Sequence, residues 1–136
     1  MNDRLALGLA RQAELAGPDD RRRDTYARVA RIAPDLPRLA IEFAWGDIHR
    51  RPGLDAARRE LVVLGALIAL GGVHAQIESH LDSALNAGLS PGELVEAIMQ
   101  ALPYAGFPRV FAAMDLACDV FERRGVVPAR PPDMKE

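Results

Sequence analysis

A chain of 136 residues, 49% hydrophobic and 26% charged, is one domain's worth of sequence with enough apolar side chain to bury a core. A formal charge of −2 excludes the basic footprint of a nucleic-acid binder, and the single cysteine, Cys118, excludes an internal disulfide and a cysteine-rich zinc site. The N-terminus has no apolar stretch of signal-peptide length. The most apolar run, Leu61 to Val73, is broken by glycines and too short for a bilayer, so a soluble, cytoplasmic protein with no membrane partner is expected.

Nothing reads as strand. A first helix is predicted over Asp3 to Ala16, ended by Gly17-Pro18, and a second, arginine-rich, over Asp20 to Ile32, stopped by Pro34. Asp35 is placed to cap a third helix, with Pro37 in its first turn and Leu39, Phe43 and Trp45 along it. Gly46 to Gly53 reads as a loop. Asp55 is the expected N-cap of a central helix, Ala56 to Leu70, apolar all round from Leu61 onward. Gly71-Gly72 ends it, and Val73 to Ala87 follows as a helix stopped by Gly88. Ser90-Pro91-Gly92-Glu93 is a capping box opening a helix from Pro91 to Leu102.

Tyr104 to Pro108 reads as a turn and Arg109 to Arg124 as the last helix, closed by Gly125. The tail, 126–136, is expected to be loose or to lie on a neighbouring subunit. The fold class is therefore all-α: a single-domain bundle of about seven helices over 1–136. Six modest helices can scarcely wrap the central one and also hide Phe43, Trp45, Phe107 and Phe111, which predicts a homo-oligomer. Cys118, among Met114, Leu116 and Phe121, is predicted as a buried structural thiol.

At about 100° per residue, Val73, Ile77, Leu81, Ala84 and Leu85 form one apolar arc with His80 on its rim. A histidine there is either a hydrogen-bonded core residue or a proton-transfer group suited to neutral pH. Glu60 shares a stripe with Leu64 and Leu67, so its carboxylate points inward and must be paired or shifted. With Arg59 beside it, the two alternatives are a structural ion pair and a functional one. Trp45 is a core aromatic or a pocket wall. Tyr104 is a hydrogen-bond donor or a packing residue of its loop. The row His74, Glu78, Asp82 is read as a solvated polar face rather than a metal site. No H-E-x-x-H, phosphate loop, G-x-S-x-G or dinucleotide fingerprint is present, so no metal and no cofactor is expected.

F-A-W-G-D-I from Phe43, R-P-G-L from Arg51, the apolar helix, H-L-D-S-A-L-N-A-G-L from His80 and Y-A-G-F-P from Tyr104 occur in an order and spacing that resemble the carboxymuconolactone decarboxylase family. That family lies in the alkylhydroperoxidase D-like superfamily, which includes thiol-dependent peroxide reductases. The peroxidase chemistry needs a cysteine pair seven and four residues before the histidine, where this chain has Val73 and Gln76, so the resemblance is to the thiol-free branch. It implies an all-α oligomer, a trimer or hexamer, and cofactor-free loss of CO2 from a γ-carboxylated butenolide in aromatic catabolism of the β-ketoadipate type. By the same resemblance His80 is the catalytic proton donor, and Arg59, Trp45 and Tyr104 contact the lactone. Glu60, at a place where the peroxidase branch has a relay glutamate and decarboxylases usually a small residue, is the catalytic partner expected to tune or relay the proton. The chain departs from the family pattern at Glu78 and Asp82, where arginine is usual, and at His49, where tryptophan is common. A different lactone or keto acid, a redox-related protein without the cysteine pair, and a non-catalytic oligomeric binding module are the alternatives.

Overall fold

Polar caps and glycines set the helix boundaries. In the computed structural model, which describes residues 3–17 and 20–129, the order is α1 (Asp3–Leu15), α2 (Arg21–Ala30), α3 (Asp35–Ala40), a π-helical segment (Ile41–His49), α4 (Ala56–Leu70), α5 (His74–Asn86), α6 (Pro91–Gln100), α7 (Leu102–Ala105) and α8 (Phe107–Arg124). No strand occurs among the described residues. The Asp20 and Asp55 side chains accept from the backbone N–H of Arg22 and Arg58, at 3.1 and 2.9 Å. Ser90 and Glu93 exchange two 3.0 Å hydrogen bonds, the reciprocal capping box. Gly125 closes α8 in the left-handed region, at φ 65°.

The helices form two layers. One is the bundle α4 to α8, whose buried face runs through Leu64, Ile68, Leu81, Leu94, Ile98 and Val120. The other is α1 crossed against the π-helical segment, with α2 and α3 beside it. Two glycines permit that crossing. A Cβ on Gly8 would lie 2.2 Å from the Ile41 carbonyl oxygen, and one on Gly46 would lie 2.6 Å from that of Arg4. Arg4 then clamps the pair, reaching Asp47 at 2.6 Å and the buried Glu42 at 3.6 Å. Because backbone atoms, not flexible side-chain ends, oppose the added methyl, Gly8→Ala is expected to cost at least about 1–3 kcal/mol, the range for overpacking. Urea denaturation measures it; a variant as stable as the parent would show that the two helices separate at little cost.

The layers meet along α5. Asn86 Nδ2 donates to the Leu15 carbonyl at 2.7 Å, Arg21 pairs with Glu78 at 2.9 Å, and Arg22 reaches Ser83 at 3.1 Å. The candidate site lies at this seam.

Several expectations are corrected. The segment expected as a loop, Gly46 to Gly53, is helical as far as His49, because Gly46 serves close packing there rather than breaking the helix. The expected turn at Tyr104 contains a single-turn helix, α7, with the reversal carried by Gly106 at φ 89°. Cys118 is exposed: α8 turns Ala113, Ala117 and Val120 inward, leaving the thiol on the rim of an apolar surface cavity with Val95, Met114 and Phe121. The His74–Glu78–Asp82 row is not simply solvated; His74 is exposed, but Glu78 and Asp82 are mostly covered and paired with arginines of α2 and α8. Expectations for Pro18 and for residues 130–136 of the tail lie outside the described residues. No described helix is long and apolar enough to cross a membrane.

Candidate active site

Glu60 is the centre. It sits in the second turn of α4 on the stripe continued by Leu64 and Ile68, and none of its surface is exposed. A carboxylate so placed must have every oxygen answered, and it does. Oε1 lies 2.8 Å from His49 Nε2, and Oε2 lies 2.8 Å from His80 Nδ1. Burial pushes the Glu60 carboxyl up, but the hydrogen bonds from His49 and His80 outweigh it and hold the group below the usual carboxylate range. An ionised carboxylate only accepts, so both facing nitrogens carry their protons. That leaves His80 Nε2 as the ring nitrogen pointing away from the carboxylate.

Trp45, from the π-helical segment, fixes both rings. Its ring centroid lies 5.9 Å from that of His80 with planes 4° apart, and 4.7 Å from that of His49 at 33°. π-Helical winding is rare and recurs at functional sites. Here it carries Trp45 and His49 together onto the buried side. Above Trp45 stands Arg22, its guanidinium carbon 4.8 Å from the ring centroid. Arg22 Nη2 donates to Ser83 Oγ at 3.1 Å, and Nη1 is buried with no hydrogen-bond partner among the described residues. From α1, Arg11 Nε lies 3.1 Å from His49 Nδ1. The His80 side chain retains 18% exposure against 7% for His49, so His80 is the member of the pair that a small molecule can meet.

Three of the five residues singled out in the sequence come together: Trp45, Glu60 and His80. Arg59 does not join them, since its Nε and Nη2 donate to the carbonyls of Leu54 and Arg51 at 3.0 and 2.7 Å and tie down the loop before α4. Tyr104, 86% exposed, lines a separate surface cavity with Leu61, Gly65 and Ala69, the neighbouring face of α4. His49, Arg11 and Arg22 were missed as site residues. For His49 a signal existed: it lies four residues after Trp45, the spacing of one helical face. For two arginines in arginine-rich helices there was none. No group of three His, Cys, Asp or Glu side chains among the described residues is arranged to hold a metal ion.

A family model described as the carboxymuconolactone decarboxylase family matches residues 34–119, more than half of the chain. This chain belongs to the carboxymuconolactone decarboxylase family. It is 34% identical over 132 residues, 96% of the chain and 97% of the relative, to a 4-carboxymuconolactone decarboxylase of Acinetobacter baylyi. A nitrosuccinic acid decarboxylase, npaB, of Metarhizium robertsii is 40% identical over 78 residues, covering 56% of this chain and 52% of that protein. An uncharacterized 15.0 kDa protein of Paracoccus denitrificans is 30% identical over 92 residues, 67% of this chain and 69% of its own length. Trp45, His49, Glu60 and His80 fall inside the stretch matched by the carboxymuconolactone decarboxylase family, whereas Arg11 and Arg22 precede it.

Proposed function

We propose that this member of the carboxymuconolactone decarboxylase family is a cofactor-independent decarboxylase of a γ-carboxylated butenolide, 4-carboxymuconolactone or a close analogue, giving an enol-lactone and CO2. The observation carrying the reading is the Glu60 carboxylate bound to Nδ1 of His80, a partly exposed histidine stacked on Trp45, which leaves Nε2 as the nitrogen turned away from the carboxylate. Support for the substrate class comes from the full-length likeness to a 4-carboxymuconolactone decarboxylase.

The reaction asks for three things. The scissile C–C bond breaks and CO2 leaves, its electron pair passing through the conjugated lactone onto the carbonyl oxygen. The resulting dienolate must then be stabilised, and one carbon must take a proton. His80, protonated at both nitrogens, gives the Nε2 proton to that carbon, while Glu60 balances the imidazolium charge through Nδ1. Solvent returns the proton afterwards. Trp45, itself buried, braces the His80 ring from behind, and Arg22 places a buried positive charge over the Trp45 ring. Arg59 holds the 51–54 loop, and Tyr104 stands outside the reacting group.

A nitro acid poses the same problem, because loss of its carboxylate leaves a carbanion delocalised into the nitro group. Likeness to a nitrosuccinic acid decarboxylase makes such an acid the second substrate to test. The chain is further proposed to work as a homo-oligomer, a trimer or hexamer. Val62 and Leu70 on α4 and the Phe107–Phe111 pair on α8 are more than half exposed, which is expensive in an isolated chain.

Purified protein is expected to release CO2 from 4-carboxymuconolactone without added metal or cofactor. His80→Ala should lower kcat by about 10²–10⁴-fold, the worth of a positioned general acid. Turnover of the lactone by His80→Ala at the parent rate would remove His80 as proton donor. Parent protein inert on both the lactone and nitrosuccinate would overturn the proposed substrate class.

A further inference from the structure

His49 is held from both sides, and the two sides make opposite demands. On one, Nε2 faces Glu60 Oε1 at 2.8 Å. On the other, Nδ1 faces Arg11 Nε at 3.1 Å, with Arg11 Nη2 3.4 Å from the His49 carbonyl oxygen. Glu14 takes the remaining edge of that guanidinium at 2.9 Å, which helps to aim Nε at the ring. A guanidinium has donors and no acceptor, and it does not lose its proton in a protein. Nδ1 must therefore present a bare lone pair, and the ring proton must sit on Nε2. A carboxylate on the opposite side asks for the same arrangement.

We infer that Arg11 is a positioning residue that fixes His49 as its Nε2–H tautomer, so that His49 gives Glu60 one neutral hydrogen bond and leaves the carboxylate's charge to His80. Without Arg11, the exposed lone pair of Nδ1 could take a second proton. His49 would then form an ion pair with Oε1, in competition with His80 on Oε2. Alternatively the ring could adopt the other tautomer and turn a lone pair towards the carboxylate, loosening its hold on Glu60. The groups facing His49 are Arg11 from α1, Glu60 from α4, the Trp45 ring from its own segment and, across the carboxylate, His80 from α5; Arg22 from α2 lies over Trp45. The device belongs to α1, which precedes the stretch matched by the family model.

The kinetic part of this inference rests on His80 as proton donor; the tautomer part does not. Long-range ¹H–¹⁵N correlation on imidazole-labelled protein reads the tautomer directly, with the chain's three histidines assigned through His74→Gln and His80→Gln. The parent is expected to show His49 with a protonated Nε2 and a bare, hydrogen-bonded Nδ1. In Arg11→Met the pattern should change to a tautomer mixture or a doubly protonated ring, and Arg11→Lys, which still donates, should restore part of it. Turnover by Arg11→Met should fall about tenfold, in kcat more than in KM, with an altered pH profile, as for loss of one charge-assisted hydrogen bond. A parent His49 protonated on Nδ1, or a His49 pattern unchanged in Arg11→Met, overturns the inference. If Arg11→Met does not fold, the Arg11→Lys spectrum decides, a pattern opposite to the parent's being fatal. Protein inactive on every acid tested would sink the functional reading, while the ring spectrum would still judge Arg11.

Discussion

Glu60→Gln is expected to fold and to lose about 10²–10⁴-fold in kcat, with substrate affinity little changed. The amide has almost the carboxylate's shape but only one acceptor. Its oxygen can take the His49 Nε2 proton, as Glu60 Oε1 does at 2.8 Å. Its NH2 group must then face His80 Nδ1, where two donors would collide unless His80 shifts its proton to Nε2. The ring stays in place as a neutral imidazole protonated only at Nε2. The imidazolium, which also needs a proton at Nδ1, is blocked, and a neutral imidazole is a far weaker acid, so proton delivery to the dienolate slows. The measurement is single-turnover kinetics beside the ¹H–¹⁵N pattern of His80. A Glu60→Gln enzyme within a few-fold of the parent would mean that Glu60 only packs.

The same substitution tests the electrostatics. Glu60 is held below the ordinary carboxylate range because hydrogen bonds from His49 and His80 outweigh the cost of burial. A carboxyl with a depressed folded value contributes stability that is fully present above its unfolded value, about 4.3, and is lost as pH falls through the folded one. The glutamine has no such term. The stability gap between parent and Glu60→Gln, measured in urea, should therefore be largest near neutral pH and narrow below about pH 4. A gap that widens on acidification would contradict the depressed value.

What could be read from the sequence was whatever short-range chemistry determines. Asp55, Ser90 and Glu93 announce their caps by spacing alone, and α4 and α6 begin where those residues say. The inward-facing Glu60 and the half-inward His80 followed from helical periodicity. Illegible features depend on the meeting of distant segments. Gly46 has the local chemistry of a helix breaker, yet its lack of a Cβ is used against the backbone of Arg4. His49 acquires its role only when α4 brings Glu60 alongside. Arg22 meets Ser83 across 61 positions of sequence, and Arg11 meets His49 across 38. No helical period distinguishes those arginines from the exposed ones beside them. Cys118 failed differently: its apolar sequence neighbours lie around an open rim rather than inside the bundle.

Glu78 and Asp82 reverse charge where the family usually has arginine, which looks hostile to a dianionic substrate. The seam changes that reading. Glu78 pairs with Arg21 at 2.9 Å, and Asp82 pairs with Arg123 and Arg124 at 2.5 and 3.2 Å, so these acids do not stand as bare charges. Arg22, by contrast, is held by the hydroxyl of Ser83 and the face of Trp45, with Nη1 unanswered among the described residues. A buried cation held in this way costs stability, and an apolar side chain of similar length removes the cost. Arg22→Met should therefore be as stable as the parent or more so, after the loss of about 0.5–2 kcal/mol from the ring contact is counted. Its kcat/KM for a dianionic acid should nevertheless fall at least about tenfold, or about 1.4 kcal/mol, because the positive charge over Trp45 is gone. Arg59→Met, which releases only loop carbonyls, should lose much less. Stability and activity moving in opposite directions is the pattern of a charge kept for its effect on substrate. A destabilised Arg22→Met with unchanged kcat/KM would make the guanidinium a strut between α2 and α5 and return the carboxylate-binding role to Arg59.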